Sequence, residues 1–179
     1  MRNSIINWTL LAHEDWNIYI AATSEGLCYV SSQNQALEEL TKWAESRFPD
    51  NILIQNDDEL QPYVTELIEY LQGTRISFTV SFDYHGTPFQ LAVWNALCAI
   101  PYGQTKSYSD IAIEIQKPAA VRAVGTAIGA NPLLITVPCH RVIGKNGALT
   151  GYRGGMEMKS KLLQLEHNNS IIEGGLLHA

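Results

Sequence analysis

Residues 107–129 read SYSDIAIEIQKPAAVRAVGTAIG, and the way this stretch breaks decides the architecture of the second half of the chain. Ser107 with Asp110 three residues later is a capping pattern, in which each side chain satisfies an N–H that the first helical turn leaves open. A short helix therefore opens at Tyr108 and runs to about Gln116. Lys117-Pro118 ends it, because proline lacks an N–H and crowds the residue before it out of helical backbone. The same proline suits the first turn of a second helix, from Ala119 to about Gly129. Two short helices joined by a tight break are a helix-turn-helix candidate. Two packed helices with no nucleic-acid role are the commoner source of such a pattern, and spacing alone leaves both readings open.

Upstream, Thr87-Pro88-Phe89-Gln90 is a capping box with proline at the first helical position. Phe89, Val93, Ala96, Leu97 and Ile100 then share one helical face until Pro101-Tyr102-Gly103. A boundary falls near Tyr84-His85-Gly86. Before it, Asn17–Ala22 and Gly26–Ser31 predict a strand pair around Ser24-Glu25-Gly26. Leu37, Leu40, Ala44 and Phe48 predict one amphipathic helix. Leu60, Val64, Leu67, Ile68 and Leu71 predict another, capped by Gly73. Ile76, Phe78, Val80 and Phe82 alternate with polar residues, which predicts a half-buried strand.

Downstream, Leu133–Val137 is short, apolar and bounded by prolines, and predicts a buried strand. Asn146-Gly147 predicts a tight turn. A last helix, from about Gly155 to Glu166, buries Met158, Leu162 and Leu165. The expected fold is mixed α/β (α+β): a small N-terminal sheet-plus-helix domain over 1–85, a mainly helical domain over 86–168, and a poorly ordered tail over 169–179.

With 46% hydrophobic and 17% charged residues, the 179-residue chain has the balance of a globular protein with a real core. No apolar run approaches the roughly 20 residues of a membrane span, and Met1–Leu11 carries no secretory pattern. A cytoplasmic monomer is expected. Cys28, Cys98 and Cys139 are odd in number, widely spaced and form no Cys-x-x-Cys pair, which argues against a disulfide framework or a zinc ribbon. With His13 and His85 they make no compact ligand set, so no metal is expected, and Cys28 and Cys98 are assigned to the core. The net charge of -6 divides unevenly. Residues 1–85 hold four basic against thirteen acidic side chains, residues 86–179 eight against five. Any phosphate-binding face belongs to the second half.

The chemistry lies in Asn131-Pro132-Leu133-Leu134-Ile135-Thr136-Val137-Pro138-Cys139-His140-Arg141-Val142-Ile143. A thiol reacts as its thiolate, and a neighbouring histidine can take the proton. On an extended chain adjacent side chains point to opposite sides, so a bridging water is the natural route from Cys139 to His140. Taken alone, the pair is a weak signal, because a buried structural cysteine beside an unrelated histidine is the commoner case.

The segment Pro138-Cys139-His140-Arg141-Val142-Ile143 resembles the signature of the O6-alkylguanine-DNA alkyltransferases, also called methylated-DNA–protein-cysteine methyltransferases. Phe89 with Val93-Trp94, Ile100-Pro101-Tyr102-Gly103, Ser107-Tyr108, Ala112, Arg122-Ala123-Val124-Gly125, Asn131-Pro132, Gly151-Tyr152-Arg153-Gly154-Gly155 and Lys159–Glu166 follow in the family's order. The resemblance spans about Thr87 to Glu166, and the first half suits the family's ribonuclease H-like domain.

The resemblance implies repair of double-stranded DNA. An alkyl group moves from O6-alkylguanine, with O4-alkylthymine as a second candidate, to Cys139. His140 draws off the thiol proton through water, Glu166 orients His140, and Asn131 braces the turn. Tyr108 donates a hydrogen bond to the departing guanine. Arg122 fills the gap left by the flipped nucleotide, with small neighbours Ala120, Val121 and Gly125 allowing close approach to the minor groove. Lys159 and Lys161 are phosphate-contact candidates. Backbone of Cys139, Val142 and Arg153, with Tyr152 and Gly154, forms the base pocket, and Arg153 departs from members with a small residue there. A thioether cannot hydrolyse as an acyl enzyme does, so each molecule acts once, without a cofactor.

Overall fold

The computed structural model describes residues 4–144 and 152–177, with side chains described as far as Ser170. The chain divides into two compact units, Met1–His85 and Gly86–Ala179.

The first unit is built on a four-stranded sheet, β1 (Ser4–His13), β2 (Trp16–Thr23), β3 (Gly26–Val30) and β4 (Asn51–Gln55), in the order β3-β2-β1-β4. β1, β2 and β3 pair antiparallel, and β4 lies parallel to β1 after a crossover through α1 (Leu37–Arg47). The crossover packs Leu40 and Ala44 on Ile6, Ala21, Cys28 and Tyr29. Helix α2 (Asp57–Leu71) begins where the Asn56 side chain accepts from the Glu59 amide, and buries Leu60, Leu67 and Tyr70. Gly73 follows it at φ 82°, the left-handed conformation that glycine adopts freely. The strand pair and both helices fall where the sequence places them. β1 and β4 carried no readable signal. β1 lies inside the sheet and mixes buried and exposed positions without clean alternation, and Ile52 and Ile54 on the edge strand β4 are exposed.

The alternating stretch 76–82 is not a strand: it makes only an isolated bridge between Phe82 and Leu27. A side chain takes the place of a ladder. The buried Glu66 carboxylate accepts from the Thr79 amide at 2.8 Å, the Thr79 hydroxyl and the Val80 amide at 3.4 Å. Those bonds, with help from Arg75, hold the Glu66 carboxyl below its usual value even though burial pushes the other way.

In the second unit, α3 (Pro88–Cys98) starts in a complete Thr87–Gln90 capping box. Trp94 inside it donates to the Ala127 carbonyl at 2.8 Å, tying α3 to α5 (Val121–Gly129). Cys98, the last residue of α3, is exposed rather than in the core, which on this helix is reached by Val93, Trp94 and Leu97. Helix α4 (Tyr108–Glu114) has its own Ser107–Asp110 capping box. A turn over Lys117–Ala120 joins it to α5, so the second helix begins two residues later than the proline suggested.

Residues 133–137 are buried as expected but form a turn, not a strand. The Val137 amide closes back on the Leu133 carbonyl at 2.9 Å, and Ile135 sits at φ 69°. Cys139–Arg141 is one turn of 3-10 helix, followed by a two-residue strand β6 (Val142–Ile143) parallel to β5 (Lys106–Ser107). The last helix, α6 (Met156–Leu177), continues through residues expected to be a loose tail. Asn169 donates to the Tyr102 hydroxyl at 3.0 Å, and extending a formed helix costs far less than starting one. The Asn146-Gly147 turn lies outside the described residues.

Candidate active site

Four segments of the second unit converge: the turn after α5, the 3-10 turn, the loop after α3, and the start and middle of α6. Cys139 is 2% exposed, and Asn131, His140 and Glu166 are equally inaccessible. The 3-10 turn, with the Arg141 amide on the Pro138 carbonyl, replaces the extended backbone on which opposite pointing of Cys139 and His140 was argued.

Asn131 organises the sulfur. Its side-chain oxygen accepts from the Leu133 amide at 2.9 Å. Its Nδ2 faces the Val137 carbonyl at 3.1 Å, the Leu133 carbonyl at 3.3 Å and Cys139 Sγ at 3.2 Å. The asparagine thus closes the turn and presents a donor to the sulfur. Burial pushes the Cys139 thiol up, and the Asn131 bond with the charges of Arg153 and Lys159 pulls it back part of the way.

His140 meets Glu166 through Nε2 at 2.7 Å. The same carboxylate takes Arg141 through Nε at 2.8 Å and Nη2 at 3.0 Å, and the Gly103 amide at 3.2 Å. Burial alone would raise the Glu166 carboxyl, but these donors and the Arg141 charge outweigh it and hold it at about 2. Glu166 is therefore an acceptor, and it selects the His140 tautomer with the proton on Nε2. That leaves Nδ1 as the basic nitrogen. Burial keeps His140 neutral, pulling it down against the attraction of Glu166. A neutral histidine with a fixed tautomer is the state a general base needs. Gly103 has φ 79°, a left-handed backbone that favours glycine, and a β-carbon there would fall 1.9 Å from Ser170 Oγ, so glycine lets this loop bring its amide to Glu166 without strain.

Arg141 is the residue that sequence reasoning left without a role. It is buried, bonded to Glu166 on one side and to the Ile100 carbonyl at 2.7 Å on the other, with Tyr102 below its guanidinium at 5.5 Å. Its adjacency to Cys139-His140 was the only available signal, since a guanidinium among apolar residues otherwise suggests the surface.

Lys159 is corrected from a phosphate contact to a core residue. It is 1% exposed, its ammonium donates to the Val142 carbonyl at 2.6 Å, and burial pulls its pKa down. Val142 and Tyr152 are buried beside it, with the Tyr152 ring 6.0 Å from Nζ. Burial and the neighbouring Cys139 push the Tyr152 phenol well up, so it stays protonated. The Cys139 carbonyl accepts from the Val142 amide. Each of these carbonyls has a second lone pair to offer. A β-carbon on Gly154 would come 2.6 Å from the Tyr152 ring and 2.7 Å from Met158 Sδ. Arg153 is half-buried, with Nε donating to the Asn131 carbonyl at 3.0 Å.

Arg122 lies apart from this cluster, exposed on α5 beside exposed Ala119 and Ala123. Ala120 and Val121 at the start of the helix are half-buried. A groove lined by Thr87, Phe89, Ala120, Arg122, Ala123 and Thr126 runs along this face. Tyr108, at the first position of α4, packs its ring against α5 at Gly125, where a β-carbon would stand 3.9 Å from it.

Residues 6–84 match the family described as 6-O-methylguanine DNA methyltransferase, ribonuclease-like domain. Residues 88–168 match 6-O-methylguanine DNA methyltransferase, DNA binding domain. The chain is 67% identical over 163 residues to the inducible methylated-DNA–protein-cysteine methyltransferase of Bacillus subtilis (strain 168), covering 91% of each chain. Its fold is similar to the crystal structure of the Mycobacterium tuberculosis O6-methylguanine methyltransferase, with a TM-score of 0.79 and 36% identity over 92% of this chain and 94% of that one. The Mycobacterium tuberculosis OGT in complex with DNA gives a TM-score of 0.76 and 37% identity over the same shares.

Proposed function

The chain belongs to the 6-O-methylguanine DNA methyltransferase family and is a DNA-repair protein that moves an alkyl group from DNA to one of its own cysteines; we propose that this cysteine is Cys139 and that His140, Glu166 and Asn131 prepare it. One observation carries the assignment. Among the described cysteines, Cys139 alone has both a side-chain amide on its sulfur and a carboxylate-held histidine next in the chain.

The substrate is O6-alkylguanine in duplex DNA. The base must leave the stack, because the sulfur of a buried cysteine cannot meet an alkyl carbon inside a helix. Arg122, exposed among small side chains on α5, fills the vacated place. The remaining lone pairs of the Cys139 and Val142 carbonyls receive the guanine amino group, and the Arg153 amide serves O6.

The thiol proton passes through a bridging water to His140 Nδ1, and the resulting imidazolium is stabilised by Glu166. The thiolate then attacks the alkyl carbon in line with O6. The S–C bond forms as the C–O6 bond breaks, and the bonding pair leaves with guanine. Tyr108 donates a hydrogen bond to the charge developing on the ring, a contact stronger in the transition state than before it. The proton held by His140 returns to the guanine base, so atoms and charge balance. The product thioether offers no electrophilic carbonyl to water, and each molecule reacts once. We place the protein in the cytoplasm, acting as a monomer; among the described residues no helix is long and apolar enough to cross a membrane.

Titration with duplex carrying O6-methylguanine tests this reading. The methyl groups removed should equal the molecules of protein and then stop. Continued removal beyond one equivalent would contradict it.

A further inference from the structure

We propose that Arg153 is a positioning residue for Cys139: its side chain fixes Asn131, and through Asn131 it fixes the proton donor on the sulfur. The inference rests on the reading of Cys139 as the acceptor.

Asn131 is tied to its own turn by nearly every group it has. Its amide bonds the Ile128 carbonyl at 3.2 Å, its side-chain oxygen takes the Leu133 amide, and its Nδ2 faces Leu133, Val137 and Cys139. The Asn131 carbonyl reaches outside that turn, to Arg153 Nε at 3.0 Å in the loop that enters α6. This bond joins the segment carrying the sulfur to the segment that walls the base pocket.

The bond matters because Nδ2 carries two hydrogens and faces three acceptors within 3.3 Å. A small tilt of the amide decides whether Sγ or a carbonyl receives the second hydrogen. Clamping the Asn131 peptide removes that freedom. Among the described residues, the charged or titratable groups around the sulfur are Arg153 before α6, Tyr152 beside it, Lys159 on α6 and His140 next in the chain, with Arg141 and Glu166 behind His140. Arg153 therefore acts on the thiolate in two ways, by its charge and by the asparagine it holds. A short neutral side chain at this place supplies neither.

The test uses the full-length protein with Arg153→Ala and Arg153→Lys. Alkylation of the Cys139 peptide by iodoacetamide is followed against pH, and transfer from free O6-benzylguanine is followed at neutral pH. Arg153→Ala should move the pH midpoint up by about one unit and slow both reactions about tenfold at neutral pH. Arg153→Lys, which restores the charge but not the planar Nε donor, should recover part of the midpoint and less of the transfer rate. A wild-type midpoint and rate in Arg153→Ala would overturn the proposal. So would a slower rate with an unshifted midpoint and a lowered melting temperature, which a merely structural side chain gives. If the wild-type Cys139 takes iodoacetamide with an Arg153-dependent midpoint yet never accepts a benzyl group, the acceptor reading fails while the link between Arg153 and the sulfur stands.

Discussion

His140 donates its Nε2 proton to Glu166 at 2.7 Å, and the same carboxylate holds Arg141 at 2.8 Å. One buried anion thereby fixes the tautomer of the base and neutralises the cation beside it. Glu166→Gln should slow transfer about a hundredfold, the size of a general-base contribution. It should also cost about 3 kcal/mol in urea unfolding at pH 7, because Arg141 is left as an unpaired buried charge.

The same pair sets the acid response. Glu166 is held at about 2 in the folded protein against 4.5 ordinarily, so its contribution is complete above pH 4.5 and is lost as pH falls towards 2. The depressed His140 acts in the same direction, since the unfolded chain takes up that proton first as pH drops below 6.5. Denaturation between pH 7 and pH 3 should show stability falling with acid, from Glu166 by about 2 kcal/mol. Glu166→Gln should start lower and fall less steeply. A variant slope equal to the wild-type slope would contradict the assignment.

Arg122→Ala should slow repair in duplex DNA about a hundredfold, the scale of an unstacking cost of a few kcal/mol. Reaction with free O6-benzylguanine needs no extrusion and should be almost unchanged. Equal losses in single-turnover rates on the two substrates would remove Arg122 from base extrusion.

How far the site could be read from sequence depends on the distance over which its parts act. Capping boxes at Thr87 and Ser107 are local, and both helices begin where those residues say. The turn over 133–137 looked like a strand, because an apolar run shows burial but not backbone. Its shape is set by Asn131, whose side-chain bonds reach as far as Cys139. Stretch 76–82 alternates like a strand, yet its amides are satisfied by Glu66, thirteen residues before Thr79. Lys159 reads from sequence as a phosphate contact, since nothing local says that a carbonyl of Val142 waits for it.

Lys159→Met should leave duplex affinity and its dependence on salt unchanged, whereas losing a phosphate contact would lower the salt slope by about one. The free Val142 carbonyl and the loss of a cation near Cys139 should instead slow transfer from O6-benzylguanine. Binding isotherms over a range of salt, with rates measured on the same preparation, separate the two roles.

Gly154→Ala forces a methyl group into the Tyr152 ring and Met158 Sδ. Overpacking of this kind costs about 1–3 kcal/mol, which urea unfolding would register. The displaced Tyr152 should also slow reaction with bulky alkyl groups.

The central claim is that one sulfur, Cys139 Sγ, receives the alkyl group. Intact-protein mass spectrometry after incubation with duplex containing O6-methylguanine, followed by peptide mapping, measures it directly. The wild-type protein should gain the mass of one methylene group, confined to the Cys139 peptide, and Cys139→Ala should gain nothing. A methyl group found on Cys28 or Cys98, or a folded wild-type protein left unmodified after prolonged incubation, would contradict the account.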